Sequence, residues 1–108
     1  MDFKEKIVKM IMMTKNPTQK RAIVTVVGQD TIGIVAAISN LLASFQINIL
    51  DITQTTMDDI FSMIMVVDLE KSTLNIPDLS DKFKKLGTEI GQEITIYDER
   101  ILQAMHRI

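Results

Sequence analysis

The chain has no cysteine and a single histidine, His106. Without thiols there is no disulfide, no thiolate metal site and no cysteine nucleophile, a composition that fits a reducing cytosol. One histidine unaided by cysteine does not make an ordinary zinc site. His106 and Arg107 are read instead as pairing with acidic groups of the same or a neighbouring subunit. No apolar run approaches the length that spans a bilayer, and no secretory signal pattern opens the chain, so a cytoplasmic location without a membrane partner is expected. Catalytic patterns are also missing. Asp58-Asp59 are adjacent in a turn rather than spaced as paired catalytic carboxylates, and Ser39 and Ser44 have no base in context and no nucleophile elbow. The expectation is a protein that is not an enzyme and takes no cofactor and no metal.

The remaining composition is that of an ordinary globular domain. In 108 residues, 46% are hydrophobic and 24% charged. That length suits one domain and leaves little room for a large internal cavity. The net charge of -2 is unevenly spread. Residues 1–20 carry Lys4, Lys6, Lys9, Lys15 and Lys20 against Asp2 and Glu5, so the rest of the chain is distinctly acidic. An acidic domain argues against a nucleic-acid partner, which needs a basic face.

Residues 1–20 read as an extension outside the domain of residues 21–108. Phe3, Ile7, Val8, Met10 and Ile11 recur at helical spacing with lysines between them, until Asn16-Pro17 breaks the pattern. A basic amphipathic helix could touch a membrane surface or a partner. A start codon assigned too far upstream, or a helix packed on a neighbouring subunit, would leave the same pattern.

From Arg21 the pattern changes. Arg21 to Val27 is β-branched and reads as a buried strand. After a turn, Ile34, Val35, Ile38, Leu41, Leu42 and Phe45 make one apolar helix face. Asn48 to Met57 and Ile60 to Leu69 read as two strands joined at Asp58-Asp59. Pro77 suits the first turn of a second helix, with Leu79, Phe83, Leu86 and Ile90 on its buried face and Lys82, Lys84 and Lys85 solvated. Glu93 to Tyr97 reads as a fourth strand, and Asp98 to Arg107 as a short amphipathic tail helix. The order β-α-β-β-α-β predicts an α+β ferredoxin-like plait: a four-stranded antiparallel sheet with both helices on one face.

Two helices cover only one face of such a sheet. The strand at residues 60–69 turns Phe61, Met63, Met65, Val67 and Leu69 one way and Ile60, Ile64 and Val66 the other. The first strand is also apolar on both sides. Strands with one wet face should alternate apolar and polar. The helix-free face is therefore expected to carry an apolar patch, covered either by a second copy in a homodimer or by the tail helix.

The turn Gly28-Gln29-Asp30-Thr31-Ile32-Gly33 links the first strand to the first helix. Its G-x-x-x-x-G spacing is not the dinucleotide G-x-G-x-x-G, and no Lys-Ser/Thr follows to make a P-loop. Glycine lets backbone approach another group closely. Asp30 or Thr31 is expected to cap the helix, whose N-terminus offers N–H groups and partial positive charge to a carboxylate. A plain connection stiffened by two glycines is the alternative.

Val26-Val27-Gly28-Gln29-Asp30-Thr31-Ile32-Gly33-Ile34-Val35, with Asn48-Ile49 and Asp51-Ile52-Thr53-Gln54, resembles the ACT-domain pattern "G-x-D-x-x-G-I-V … N-I … Q". The ending Ala104 to Ile108 is similar to that of stand-alone single ACT-domain proteins, themselves similar to the ACT repeats of the glycine cleavage system transcriptional repressor. The resemblance implies a regulatory domain that binds a small ligand, typically an amino acid, at a homodimer interface and acts on a protein partner. It implies that Gly28, Asp30, Gly33 and Ile34 face the ligand, with Asn48, Ile49, Asp51 and Gln54 on the other side of the interface. A ligand-free dimerisation module is the alternative. Many ACT domains have glycine just before the second strand. Gln46 stands there in this chain, so a locally different helix end is expected.

Overall fold

The computed structural model describes residues 20–100, together with Glu5 and Lys9. The expected tail helix falls mostly on residues 101–107, outside the described residues, as does most of the extension.

The chain runs β1 (Arg21–Gln29), α1 (Ile34–Ser44), β2 (Asn48–Met57), β3 (Ile60–Asp68), α2 (Ile76–Ile90) and β4 (Gln92–Asp98). The strands form one antiparallel sheet in the order β2-β3-β1-β4. This is the ferredoxin-like plait that the element order predicts. β1 and β3 are central, so their side chains are screened on both flanks, which is why both are apolar on both faces.

Register decides which residues share a face. Ala22, Val24 and Val26 of β1 lie opposite Val67, Met65 and Met63 of β3, and Val24 and Val26 lie opposite Ile96 and Ile94 of β4. Ile34, Ile38 and Leu42 of α1 and Leu79 and Phe83 of α2 pack on this face, forming the main core. Met63 and Met65 are core residues beneath the helices. Leu86 and Ile90 are half-buried at its edge, and Gly87 takes the place a larger residue would have. A Cβ on Gly87 would come within 2.3 Å of the Gln92 carbonyl oxygen, so α2 lies against β4 only because that position is bare.

The other face holds a second, smaller cluster. Ile23, Ile64 and Val66 are buried, with Leu50 and Tyr97 half-buried against them. Neither helix contributes to it. The exposed part of this face is therefore smaller than the alternation predicts. Val27, Met57 and Ile60 remain open at the end nearest the turn, being 46%, 67% and 50% exposed.

Both helices end on a left-handed residue, Gly91 after α2 and Gln46 after α1. Ile47 N–H donates to the Leu42 carbonyl at 3.0 Å and Gln46 N–H to the Ala43 carbonyl at 3.1 Å, closing a Schellman motif around Gln46 at φ 63°. The altered helix end expected from the missing glycine does not occur. Buried Ile47 and Leu42 supply the apolar contact that accompanies the motif, and this offsets the left-handed strain on a glutamine. At Asp58-Asp59 both residues also have positive φ, 49° and 67°, giving the two-residue hairpin connection whose twist matches the strands.

Candidate functional site

β1 continues through Gly28 to Gln29, two residues further than its β-branched run predicts. Gly28 lies opposite Phe61 on one side and Gln92 on the other. A Cβ there would sit 2.5 Å from Gln92 Oε1 and 2.6 Å from the Gly91 carbonyl oxygen. Gln92 is buried under the start of the turn. Its Nε2 donates to the Gln29 carbonyl at 2.6 Å, while its Oε1 is buried with no hydrogen-bond partner. Gln92 was not legible as a turn-supporting residue, because its importance follows from the β1–β4 register, which no local pattern encodes.

Beyond Gln29 the chain is exposed from Asp30 to Gly33. The Asp30 N–H donates to the Asp59 carbonyl at 2.8 Å, tying the turn to the tip of the β2–β3 hairpin. Neither Asp30 nor Thr31 caps α1. The N-cap is Gly33, at φ 90°, and no side chain accepts a hydrogen bond from the first turn. The left-handed cap turns Asp30 and Thr31 away from the helix axis, which only glycine does without strain. The Gly33 carbonyl accepts from Ala37 N–H at 2.9 Å, starting the helical ladder. No acidic residue lies in the first turn. The positive end of α1 thus has no neutralising group of its own, an arrangement that accommodates a carboxylate. Ile34 is buried in the core, so only its backbone N–H faces the turn.

The second group of predicted residues lies elsewhere. Asn48 is exposed and paired with Asp68, beside Arg21 at the start of β1. It lines a hollow of about 270 Å³ with Gln46, Asp68, Glu70 and Lys71. Ile49 is half-buried against the core. A bulge at Leu50 puts Asp51 opposite Val66, on the helix-free face, where its Oδ1 accepts from Ile52 N–H at 2.9 Å. Gln54 is exposed and paired with Met63, on the helix-covered side. Gly28 lies level with Thr56 of β2, eight residues beyond Asn48, so the turn and Asn48 are about 26 Å apart along the sheet at the usual rise per residue. One chain brings Gly28, Asp30, Gly33 and the backbone of Ile34 together. It does not bring Asn48, Ile49 or Asp51 to them.

The same end as Asn48 holds a buried ion pair and a wider groove. Arg21 Nε donates to Glu99 Oε2 at 3.2 Å, and Arg21 Nη2 bonds Glu99 Oε1. The groove, about 720 Å³, is lined by Lys20, Leu69, Leu74, Asn75, Asp98 and Arg100, among others. Hydrogen bonding from the Arg100 guanidinium holds the Asp98 carboxyl below its ordinary pKa. Among the described residues, no group of three or more His, Cys, Asp or Glu is placed to hold a metal ion.

The model of the ACT domain matches residues 20–97. The chain belongs to the ACT-domain family. Its similarity to stand-alone members is extensive. It is 46% identical over 88 residues to a UPF0237 protein of Methanocaldococcus jannaschii, a match covering 82% of this chain and 98% of that protein. It is 42% identical over 88 residues to a UPF0237 protein of Clostridium acetobutylicum, with 82% and 99% covered. Among solved structures, an ACT domain protein from Streptococcus pneumoniae superposes with a TM-score of 0.70 at 33% identity, covering 84% of this chain and 99% of that one. A structure described as a glycine cleavage system transcriptional repressor matches in fold, with a TM-score of 0.63 at 22% identity, over 73% of this chain and 45% of that one. The ACT domain is a regulatory fold, related to ligand-binding regulatory domains. No helix among the described residues is long and apolar enough to cross a membrane.

Proposed function

We propose that this ACT domain is a cytoplasmic ligand sensor that works as a homodimer. A small zwitterion, an amino acid, binds between the Gly28–Gly33 turn of one copy and the Asn48–Asp51 segment of a second, and its arrival alters the hold on a partner protein. The observation that carries this reading is the open head of α1, which has neither a side-chain cap nor an acid in its first turn. A ligand carboxylate would take the free N–H groups there, which no side chain of the turn uses. The separation of Asn48 from the turn within one chain is what makes the second copy necessary. A two-fold axis running two β2 edges antiparallel carries Asn48 of one copy towards the turn of the other. Asn48 offers a donor and an acceptor, and Asp51 and Asp30 offer negative charge to the ammonium group. Gln54 lies along the same edge, and Ile49 anchors it in the core. None of these roles needs catalysis, metal or cofactor.

Thermal unfolding against each of the twenty amino acids at millimolar concentration tests the proposal. A cognate ligand at a hundred times its dissociation constant adds about 2.7 kcal/mol to stability. Asn48→Ala should lose that gain while leaving the unliganded melting temperature unchanged, because Asn48 is exposed. Failure of all twenty to stabilise the protein would sink the sensing role.

A second reading, assembly without a ligand, is favoured by Val27, Met57, Ile60 and the fully exposed Ile32, which lie open around the same turn. It expects Asn48→Ala to be inert and Ile60→Asp to abolish association.

A further inference from the structure

One buried side chain carries a polar atom that the fold does not use. Gln92 is 6% exposed, and its Oε1 is buried and accepts no hydrogen bond from any described residue. An acceptor in that state costs stability that an apolar residue of the same shape would not. The amide orientation is fixed, because Nε2 donates to the Gln29 carbonyl at 2.6 Å. Turned over, the carboxamide would set oxygen against oxygen. Packing does not call for glutamine here either. Ile94 and Ile96, the next residues on the same face of β4, are buried and apolar.

The orphaned oxygen lies where β1 passes into the turn. An ideal Cβ on Gly28 would be 2.5 Å from Gln92 Oε1 and 2.6 Å from the Gly91 carbonyl oxygen, so two acceptors face one bare stretch of backbone. Gly91 is the left-handed residue that ends α2. The last turn of that helix holds Glu89 and no basic residue. The negative end of the α2 dipole is therefore as bare of counter-charge as the positive end of α1. The head of α1 stands four residues beyond Gln29, at Gly33, where an ideal Cβ would meet nothing within 4 Å. Two uncompensated helix ends of opposite sign thus flank the stretch from Gly28 to Gly33. An amino acid carries charges of both signs on one carbon.

We propose that Gln92 is a ligand residue: its Oε1 accepts from the ammonium group of an amino acid whose carboxylate lies on the head of α1. The inference rests on the reading that an amino acid binds at this turn, and adds to it a contact from β4 of the same chain. An ammonium group has three N–H donors, so Gln92 takes one and leaves the others to carboxylates. Without ligand Oε1 is enclosed. The contact forms as the exposed stretch from Asp30 to Gly33 moves aside for the amino acid, and satisfying the orphaned acceptor offsets part of the cost. One carboxamide then does two things: Nε2 holds the start of the turn and Oε1 reads the ammonium. A carboxylic acid without an amino group gains nothing from the second.

Thermal unfolding of the full chain with each of the twenty amino acids comes first. The amino acid that stabilises it is then titrated beside the carboxylic acid that lacks only its amino group, giving a ratio of two dissociation constants. In the parent protein the amino acid should bind more tightly by at least about tenfold, and Gln92→Met, which keeps the length of the side chain without its polar atoms, should lower that ratio about tenfold. Gln92→Glu, which keeps an acceptor but not the donor to Gln29, should retain most of the ratio. A role confined to propping the turn weakens both compounds alike. An unchanged ratio in Gln92→Met, or an equal loss in Gln92→Glu, therefore overturns the proposal while the sensing reading stands. Stabilisation of the parent by none of the twenty removes the sensing reading and this contact with it. A second measurement needs no variant. The side-chain ¹⁵N amide resonance of Gln92 should shift on addition of the amino acid and stay in place with the deaminated acid. Equal shifts, or none, overturn the proposal even where Gln92→Met does not fold.

Discussion

The two helices are built by opposite rules. α2 starts on Asn75, whose Oδ1 accepts from Asp78 N–H at 2.9 Å, has proline and Asp78 in its first turn, and stops at Gly91 with φ 72°. α1 starts on a left-handed glycine with no side-chain cap and stops on left-handed Gln46. In α2 each residue type stands where its own backbone preference would put it. In α1 the N-terminus forgoes a side-chain cap and the C-terminus puts a glutamine where glycine is preferred, so something other than helix stability governs them. At the C-terminus that influence is the core, through Ile47 and Leu42. At the N-terminus it is the turn, whose glycine cap leaves the helix head open. The contrast divides the molecule into a helix that holds the sheet and a helix that presents a site.

The sharpest test of that division is the glycine in the last turn of α2. Helix propensity alone favours Gly87→Ala by about 1 kcal/mol. The structure reverses the sign, because the new Cβ would lie 2.3 Å from the Gln92 carbonyl oxygen and backbone cannot step aside cheaply. We expect a net loss of about 2–4 kcal/mol by urea denaturation, in the range of severe core errors. A stabilised Gly87→Ala protein would mean that α2 does not lie against β4 as described. Gly28→Ala ranks next, at about 2 kcal/mol, because one of its two obstacles, the Gln92 amide, is a side chain that can shift. Displacing Gln92 would also cost its bond to the Gln29 carbonyl, so this substitution should weaken ligand stabilisation along with the fold.

Capping gives the next step down. Asn75→Ala should cost about 1 kcal/mol, the usual value of a lost side-chain cap. Because Asn75 stands at the end of α2 away from the turn, the stabilisation produced by an amino acid should be the same in this variant as in the parent. Equal loss of both would erase the distinction between the helices.

How much of this was legible follows the same contrast. The strands and both helices could be read because their apolar periodicity is set by the core, and the core face is where the register puts it. α2's start was readable from Pro77, since its cap obeys local rules. The start of α1 differs from the cap expected at Asp30 or Thr31, because a side-chain cap is the local default and the left-handed Gly33 replaces it for reasons outside the helix. Asp30 and Gly33 fall in one turn, as neighbours in sequence do, while Gly28 belongs to the end of β1. The distance from that turn to Asn48 was not legible, since it depends on both residues' positions along a sheet whose strands run antiparallel. Gln92 was missed on the same ground. Local chemistry can be read from a window, but opposition across strands is a property of the assembled sheet.

The smallest expected effect concerns Gln46. Its φ of 63° is a conformation in which a side chain normally costs about 1 kcal/mol, and glycine escapes that cost in the folded state. Glycine also has more backbone freedom to lose from the unfolded chain, which takes back part of the gain. The balance predicts that Gln46→Gly stabilises the protein by about 0.5 kcal/mol, measured as a higher urea midpoint at unchanged slope. The sign carries the information. Gln46 is exposed and lines the hollow beside Asn48, so its side chain is free of core duties and close to the segment assigned to the second copy. If Gln46→Gly gains stability in the unliganded protein but loses part of the amino-acid stabilisation, the glutamine is kept for the site at a cost to the fold. That would make the C-terminus of α1, like its N-terminus, a place where presentation outweighs helix stability. If it gains stability and binds as well as the parent, the departure at Gln46 concerns the helix end alone, and the site-bearing character of α1 is confined to its open head at Gly33.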